Sequence, residues 1–343
     1  MTLPFDPPLL PMLAKAAAKI PVGDGWRYEP KWDGFRAIVF RDGDSLHIGS
    51  RNAKPLERYF PELVHTLRES LADPAIVDGE IVIAGRHGLD FDALQLRIHP
   101  ASSRVNMLAQ QMPSTFVAFD LLADDEGDHR DDPLDERRGR LIASVQPSEN
   151  SFLTPQTSDA AQAEDWFHMF EGAGLDGVVA KRQDGAYTPG QRTMIKVKHK
   201  RTADCVVAGY RPSVVPDAIG SLLLGIYRED DLLYVGHTSS FKDEERVAMF
   251  GLLQGFVTDE SFGQSRAPGG PSRWSGAQEK PWVALRPELV CEVTFDHLQG
   301  DRFRHGTTFL RWRPDKSPHE CTWDQLIPPN PFDLDEIRKM SSA

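Results

Sequence analysis

Lys31 lies in the run Glu29-Pro30-Lys31-Trp32-Asp33-Gly34-Phe35-Arg36, where two carboxylates and two cations fall within eight residues. A lysine acts as a nucleophile only after losing its proton, and with an ordinary pKa near ~10.4 well under ~1% is the free amine at pH 7. Nearby cations lower that pKa. The chain offers Arg36, Lys196 and Lys198, and a bound metal ion would add to them. Lys181, Lys196 and Lys198 sit in strand-like sequence, so alternate residues of neighbouring strands could gather them on one face. Each feature also has a plainer reading. A single K-x-D-G is equally an exposed lysine beside a turn, and three strand lysines are equally a solvated outer face.

The elements that must position these residues can be read from pattern. Glu29 precedes a proline and is biased to extended backbone, while Gly34 permits a turn before "GFRAIVF" resumes as strand. A turn at Asp42-Gly43-Asp44 and the strand "SLHIGS" complete a hairpin. Leu63, Leu67 and Leu71 recur at helical spacing behind Pro61, and "AIVDGEIVI" and "STFVAFDLL" return to strand. Residues 160–170 have the pattern of an amphipathic helix ending at Gly172 and Gly174, followed by "LDGVVAKR" as strand. Near Lys200 the texture changes to "ADCVVAGYRP", "GSLLLGIYRE", "DLLYVGHTS", "LVCEVTFD" and "FLRWRP", with one helix over 241–257. That order suits a small β-barrel carrying one helix, such as an OB-fold. We therefore expect an α+β chain with one domain over 1–200 and a second over 201–343, closed by a Pro-rich tail at 328–331.

A length of 343 residues suits two domains, and the composition, 40% hydrophobic and 26% charged, is that of a soluble globular protein. No apolar run approaches the ~20 residues of a membrane helix. The amino terminus lacks the basic start of a signal peptide, so a cytoplasmic location is expected. Cys205, Cys291 and Cys321 support neither a disulfide framework nor a four-Cys zinc site. The net charge of −12 argues against a nucleic-acid partner, but its distribution is uneven. Residues 178–201 hold seven Lys or Arg against one Asp, and 302–316 hold five against one. Acid is concentrated in "DLLADDEGDHRDDPLDE", which reads as a solvated loop.

Order along the chain adds what no single motif carries. After the Lys31 run come Ser50-Arg51-Asn52, Asp78-Gly79-Glu80, Phe116-Val-Ala-Phe119-Asp120, Asp176-Gly177-Val178-Val179-Ala180-Lys181, Lys196-Val-Lys198 and Arg313-Pro-Asp315-Lys316. This series resembles the ordered motifs of the covalent nucleotidyltransferases: ATP-dependent DNA ligases, RNA ligases and mRNA capping enzymes. The likeness runs from about Leu9 to Lys316 and is greatest to the small bacterial ATP-dependent ligases, particularly the stand-alone ligase C class of actinobacteria.

The resemblance implies an ATP-grasp-like nucleotidyltransferase domain with antiparallel sheets, followed by an OB-fold. It implies that Lys31 becomes adenylated by ATP and that Glu29 and Arg36 lie against the nucleotide. By the same likeness, Arg51 approaches the nucleotide and later the nick phosphate. Glu80 lies near the ribose or a metal, Phe119 stacks on adenine, and Arg192 contacts nucleotide. Lys181, Lys196 and Lys198 match the need for cations around a transferring phosphoryl group. Arg313, Asp315 and Lys316 would orient pyrophosphate, with the second domain swinging about a hinge near 198–204. Mg²⁺ or Mn²⁺ is the implied metal, at Glu80 and Asp176. Asp176 stands where the family often has a longer glutamate, and Ala53-Lys54 follows Arg51 where a glycine is common.

The implied activity is sealing of 5′-phosphate/3′-hydroxyl nicks in duplex DNA, in repair and beside other repair proteins, by a monomer. Few residues precede Glu29, so clamping the duplex is expected to fall to two domains, with modest, salt-sensitive binding. The rivals are an RNA ligase, a GTP-dependent capping enzyme, the less similar NAD-dependent ligases, and a non-catalytic OB-type nucleic-acid-binding protein.

Overall fold

The computed structural model describes residues 3–85, 88–259, 261–262, 281–296, 298–327 and 332–341. They fall into two compact units, Met1–His199 with Pro329–Ala343 and Lys200–Pro328. Secondary structure is mixed α and β in the first and mainly β in the second.

The first unit is built on two sheets. One runs in the order Leu13–Ala17, Arg192–Lys198, Gly177–Arg182, Trp26–Pro30. The other runs Ser151–Leu153, Thr115–Asp124, Ala75–Val82, Phe35–Asp42, Ser45–Ser50. Successive strand residues point to opposite faces, and the sequence uses both faces. In Phe35–Asp42, Ala37 and Val39 join a cluster with Leu63 and Leu67 of the helix Pro61–Ser70. Ile38 and Phe40 join another with Met12, Tyr187 and Met194. This sheet is therefore a middle layer.

The first sheet divides its faces differently. Tyr28, Val178, Ala180 and Val197 pack with Ala163 of the helix Ala160–Met169. Full burial of an aliphatic or aromatic chain contributes ~1.5–3 kcal/mol, which fixes this face against the helix. The intervening residues Glu29, Val179, Lys181, Lys196 and Lys198 are thereby turned to the opposite face.

The second unit is a five-stranded antiparallel sheet in the order Asp231–Thr238, Ile219–Arg228, Arg201–Pro212, Val283–Phe295, Thr308–Trp312. Val207, Leu222, Leu224, Val235 and Val293 pack with Met249 and Leu253 of the helix Asp243–Leu253. The two edges approach at a parallel bridge between Thr238 and Thr307, where the Thr238 hydroxyl donates to the Thr307 carbonyl at 3.0 Å. Among the described residues the ladders do not close a barrel.

Two expectations need correction. The sequence reading joins the chain end to 201–343, yet the helix Leu334–Met340 belongs to the first unit, with Ile337 in a buried cluster containing Trp32, Trp166 and Phe170. A short helix with apolar residues at Leu334 and Ile337 needs a partner face, and this cluster provides one. The Pro-rich tail at 328–331 lies outside the described residues. The acidic stretch from Asp120 is not simply a solvated loop. Asp120 is buried in a pair with Arg137 (2.8 and 3.0 Å), and Asp124 accepts from His129 at 2.7 Å. His129 and Arg130 within the run and Arg137 and Arg140 just downstream pair part of its charge. No helix among the described residues is long and apolar enough to cross a membrane.

Candidate active site

The register of the first sheet gathers the charges. Val179 pairs with Glu29 on one side and Lys196 on the other, and Gly177 pairs with Lys198. Lys31 follows its strand directly. Its amide donates to the Gly177 carbonyl (2.8 Å), and its own carbonyl accepts from the Asp176 amide (2.9 Å). Glycine is required at 177: φ is +135°, and a Cβ there would lie 2.0 Å from the Val197 carbonyl oxygen. The backbone beneath Lys31 is thus pinned to the turn that presents Asp176.

Asp176 is buried, and its Oδ2 meets Lys31 Nζ at 2.5 Å and Lys198 Nζ at 3.0 Å. One carboxylate therefore sits between two ammonium groups. Lys196 is pushed below the ordinary lysine range, first by burial and then by Lys31, Lys198 and Arg51, with Asp176 opposing. Neighbouring positive charge thus weakens the hold of Lys196 on its proton.

The second sheet supplies the facing groups. Arg36 and Glu80 are direct register partners. Arg36 donates to both oxygens of Asp78, at 2.6 and 2.5 Å, and the Tyr187 hydroxyl donates to the same carboxylate at 2.6 Å. Burial works against the Arg36 charge, but Asp78 outweighs it and the guanidinium holds its proton more tightly than usual. Burial, followed by Asp78, raises the Tyr187 hydroxyl well above the usual phenol range. Glu80 accepts the Gly34 amide at 3.2 Å and is pushed up to about 7 by burial, with Arg36 and Lys31 limiting the rise and Asp33 and Asp78 adding to it.

Phe119 joins the two sheets. Arg36 lies 4.3 Å and Lys181 4.9 Å from its ring centroid. Lys181 also bonds Glu29 Oε2 at 2.8 Å and the Phe119 carbonyl at 3.3 Å, while Gln156 donates to Glu29 Oε1 at 2.8 Å. Both Glu29 oxygens are engaged. Trp32 donates to the Thr154 hydroxyl at 2.9 Å, which turns its ring away from the charges.

Nine expected residues thus converge: Glu29, Lys31, Arg36, Glu80, Phe119, Asp176, Lys181, Lys196 and Lys198. Arg51 is exposed, linked to the group through its charge on Lys196. Arg192 is not brought in. It is exposed at the start of its strand and meets the Ala14 carbonyl at 3.5 Å. Arg313, Asp315 and Lys316 belong to the second unit, where Arg313 and Lys316 bond Asp204. Sequence reasoning gave no role to Asp78, Gln156, Tyr187 or Asp204. Asp78 was open to discovery, two residues from Glu80 and so on the same strand face; Gln156 and Tyr187 reach the site from irregular segments that carry no such signal.

Among the described residues no three His, Cys, Asp or Glu are grouped to cage a metal ion. Asp176 and Glu80 suit a different arrangement, in which Mg²⁺ or Mn²⁺ takes one or two carboxylates and completes its shell from substrate phosphates and water. The donor set fits that use. An amine against a buried carboxylate, ringed by cations beside an aromatic ring, suits attack on an anionic substrate that carries a base.

Comparison with known proteins places this chain in a family. Residues 11–198 match the ATP dependent DNA ligase domain, and residues 216–316 match the ATP dependent DNA ligase C terminal region. The chain is 49% identical over 348 residues to DNA ligase C1 of Mycolicibacterium smegmatis, covering 98% of this chain and 99% of that protein. It is 49% identical over 355 residues to DNA ligase C of Mycobacterium tuberculosis, again covering 98% and 99%. A solved Lig E DNA ligase shares the fold, with a TM-score of 0.54 at 18% identity over 89% of this chain and 100% of that one. These matches separate the chain from RNA ligases, capping enzymes and non-catalytic OB proteins: it belongs to the ATP-dependent DNA ligases, in the ligase C class.

Proposed function

We propose that Lys31 is the nucleophile through which this ligase seals nicks in DNA. In the first step the Lys31 amine attacks the α-phosphate of ATP. A P–N bond forms, the bond to pyrophosphate breaks, and the amine proton is released. In the second, an oxygen of the 5′-phosphate at a nick attacks the lysyl-AMP phosphorus; the P–N bond breaks and Lys31 regains a proton. In the third, the 3′-hydroxyl attacks the activated 5′-phosphate and AMP leaves. Each step is a displacement at phosphorus, so positioning and charge stabilisation supply most of the rate.

Glu29, Lys181 and the Phe119 ring form the nucleobase side of the pocket, and Arg36 and Arg51 approach sugar and phosphate. Lys196 and Lys198 face the α-phosphate. Arg192 lies at the margin and serves a nucleotide only through movement of its side chain. Arg313 and Lys316 serve the departing pyrophosphate, with Asp315 giving up its edge of the Arg313 guanidinium, and we read the second unit as an OB-type barrel closing at Thr238 and Thr307. Asp176 engages Lys31 Nζ at 2.5 Å, so attack by the amine needs that carboxylate directed elsewhere. Asp176 and Glu80 would hold Mg²⁺ or Mn²⁺, which would draw the Asp176 charge away from Lys31 and offset phosphate charge. The substrate we assign is nicked duplex DNA, met by a monomer in the cytoplasm during repair, beside other repair proteins.

The observation that carries this reading is the buried Asp176 carboxylate shared by Lys31 and Lys198, at 2.5 and 3.0 Å. The test is the intact mass of the chain, first stripped with pyrophosphate, after incubation with ATP, GTP or NAD and divalent metal. One AMP gained from ATP alone, and none in Lys31→Ala, is the expected result. An adduct that survives Lys31→Ala would move the nucleophile elsewhere, and a GMP adduct would overturn the assigned nucleotide.

A further inference from the structure

Asp204, in the strand Arg201–Pro212, holds the two cations of the last motif. Arg313 Nη1 lies 2.9 and 3.1 Å from its two oxygens, and Lys316 Nζ lies 2.9 Å from Oδ2. Asp315 takes the other edge of the same guanidinium, at 3.0 Å from Nε and 2.9 Å from Nη2. Two cations and two carboxylates leave the cluster formally neutral. An arriving phosphate must therefore displace one of the carboxylates.

The two are not equivalent. The Asp315 side chain is 62% exposed, whereas that of Asp204 is 11% exposed. The Asp204 backbone is also locked, since its amide donates to Gln325 Oε1 at 2.8 Å and its carbonyl accepts from Gln325 Nε2 at 3.0 Å. Asp315 is the exchangeable partner and Asp204 the anchor. The edge that Asp315 covers, Nε with Nη2, presents two parallel donors that match a phosphate.

We propose that Asp204 is a positioning residue for self-adenylation, holding Arg313 by Nη1 and Lys316 by its ammonium so that the Nε/Nη2 edge of Arg313 is presented to the departing pyrophosphate. This rests on the role given above to Arg313 and Lys316. Held cations need no reorganisation as charge develops on the leaving group.

The test separates two partial reactions of the full chain. One is single-turnover formation of lysyl-AMP at saturating ATP; the other is sealing of a nicked duplex already bearing AMP on its 5′-phosphate, from which no pyrophosphate departs. Asp204→Asn keeps the side chain's shape and its backbone bonds to Gln325 but removes the charge. The first reaction should slow by roughly tenfold or more, in maximal rate rather than in half-saturating ATP, while the second stays within about twofold. An unchanged or faster first reaction would overturn the proposal, as would equal losses in both. Arg313→Ala is run alongside: if it too leaves lysyl-AMP formation unchanged, the role of Arg313 itself fails, which is a different result from failure of Asp204→Asn alone.

Discussion

Glu80 offers a test of the site's electrostatics that needs no substrate. Its carboxyl is raised from 4.5 to about 7 by burial, against the pull of Arg36 and Lys31. A carboxyl with a higher pKa folded than unfolded binds an extra proton in the folded state between those two values. Stability from this group is therefore intact below pH 4.5, falls as pH rises through 7, and the whole penalty stands above that. At about 1.4 kcal/mol per pKa step the ceiling is about 3 kcal/mol, and we discount it to about 2 kcal/mol because Glu80 is only partly buried. Glu80→Gln removes the titration while keeping an acceptor for the Gly34 amide. The variant should match the native chain near pH 5 and exceed it at pH 8 by roughly 4–8 °C in Tm, since ~1 kcal/mol moves a unit of this size by about 2–4 °C. Thermal unfolding in EDTA at five pH values from 5 to 8.5 would show the divergence. A constant offset between the two chains across that range would refute the argument that burial holds this carboxyl half-protonated near neutrality. Sealing activity should fall in the same variant, because the raised carboxyl is kept for the reaction at the expense of stability.

Two further outcomes follow from the supports of the site. Gly177→Ala places a Cβ about 2.0 Å from the Val197 carbonyl oxygen at a φ of +135°. We expect a loss of about 2–4 kcal/mol in unfolding free energy and a marked drop in lysyl-AMP formation, because the strained turn shifts the residue-177 carbonyl that accepts the Lys31 amide; a native Tm would show that the turn relaxes freely. Ile337→Ala should cost ~2 kcal/mol or more in local stability, read as faster hydrogen exchange across the helix Leu334–Met340. Unchanged exchange there would mean that Ile337 does not anchor the chain end.

Legibility from sequence followed the range of the interaction. The hairpin around Asp42-Gly43-Asp44 and the helix behind Pro61 appear at the expected positions, because their signals are local periodicity and turn chemistry. The strand Leu13–Ala17 carries no such signal: "LAKAA" has low β-propensity and becomes a strand by pairing in parallel with Arg192–Lys198. The place of the helix Leu334–Met340 is likewise not legible locally, since its partners, from Trp32 to Leu175, all lie far back in the chain.

The sequence by itself determined the order of the chemical groups: the lysine and its flanking charges, the carboxylate at Asp176, the paired lysines of Lys196 and Lys198 and the final Arg-x-Asp-Lys run. Period-2 alternation also told that Lys196 and Lys198 share a face. Tertiary structure alone decided which groups meet. Asp176 reaches Lys31 and Lys198 together because a left-handed turn at Gly177 passes close to Val197. Asp78, Tyr187 and Arg36 form one hydrogen-bonded unit although Tyr187 lies 109 residues from Asp78, and Arg192, close in sequence to Lys196, stays outside. Charge interactions weaken with distance and are screened beyond roughly 10 Å, so a site made of charges is settled by strand register and backbone packing, which spacing along the chain does not encode.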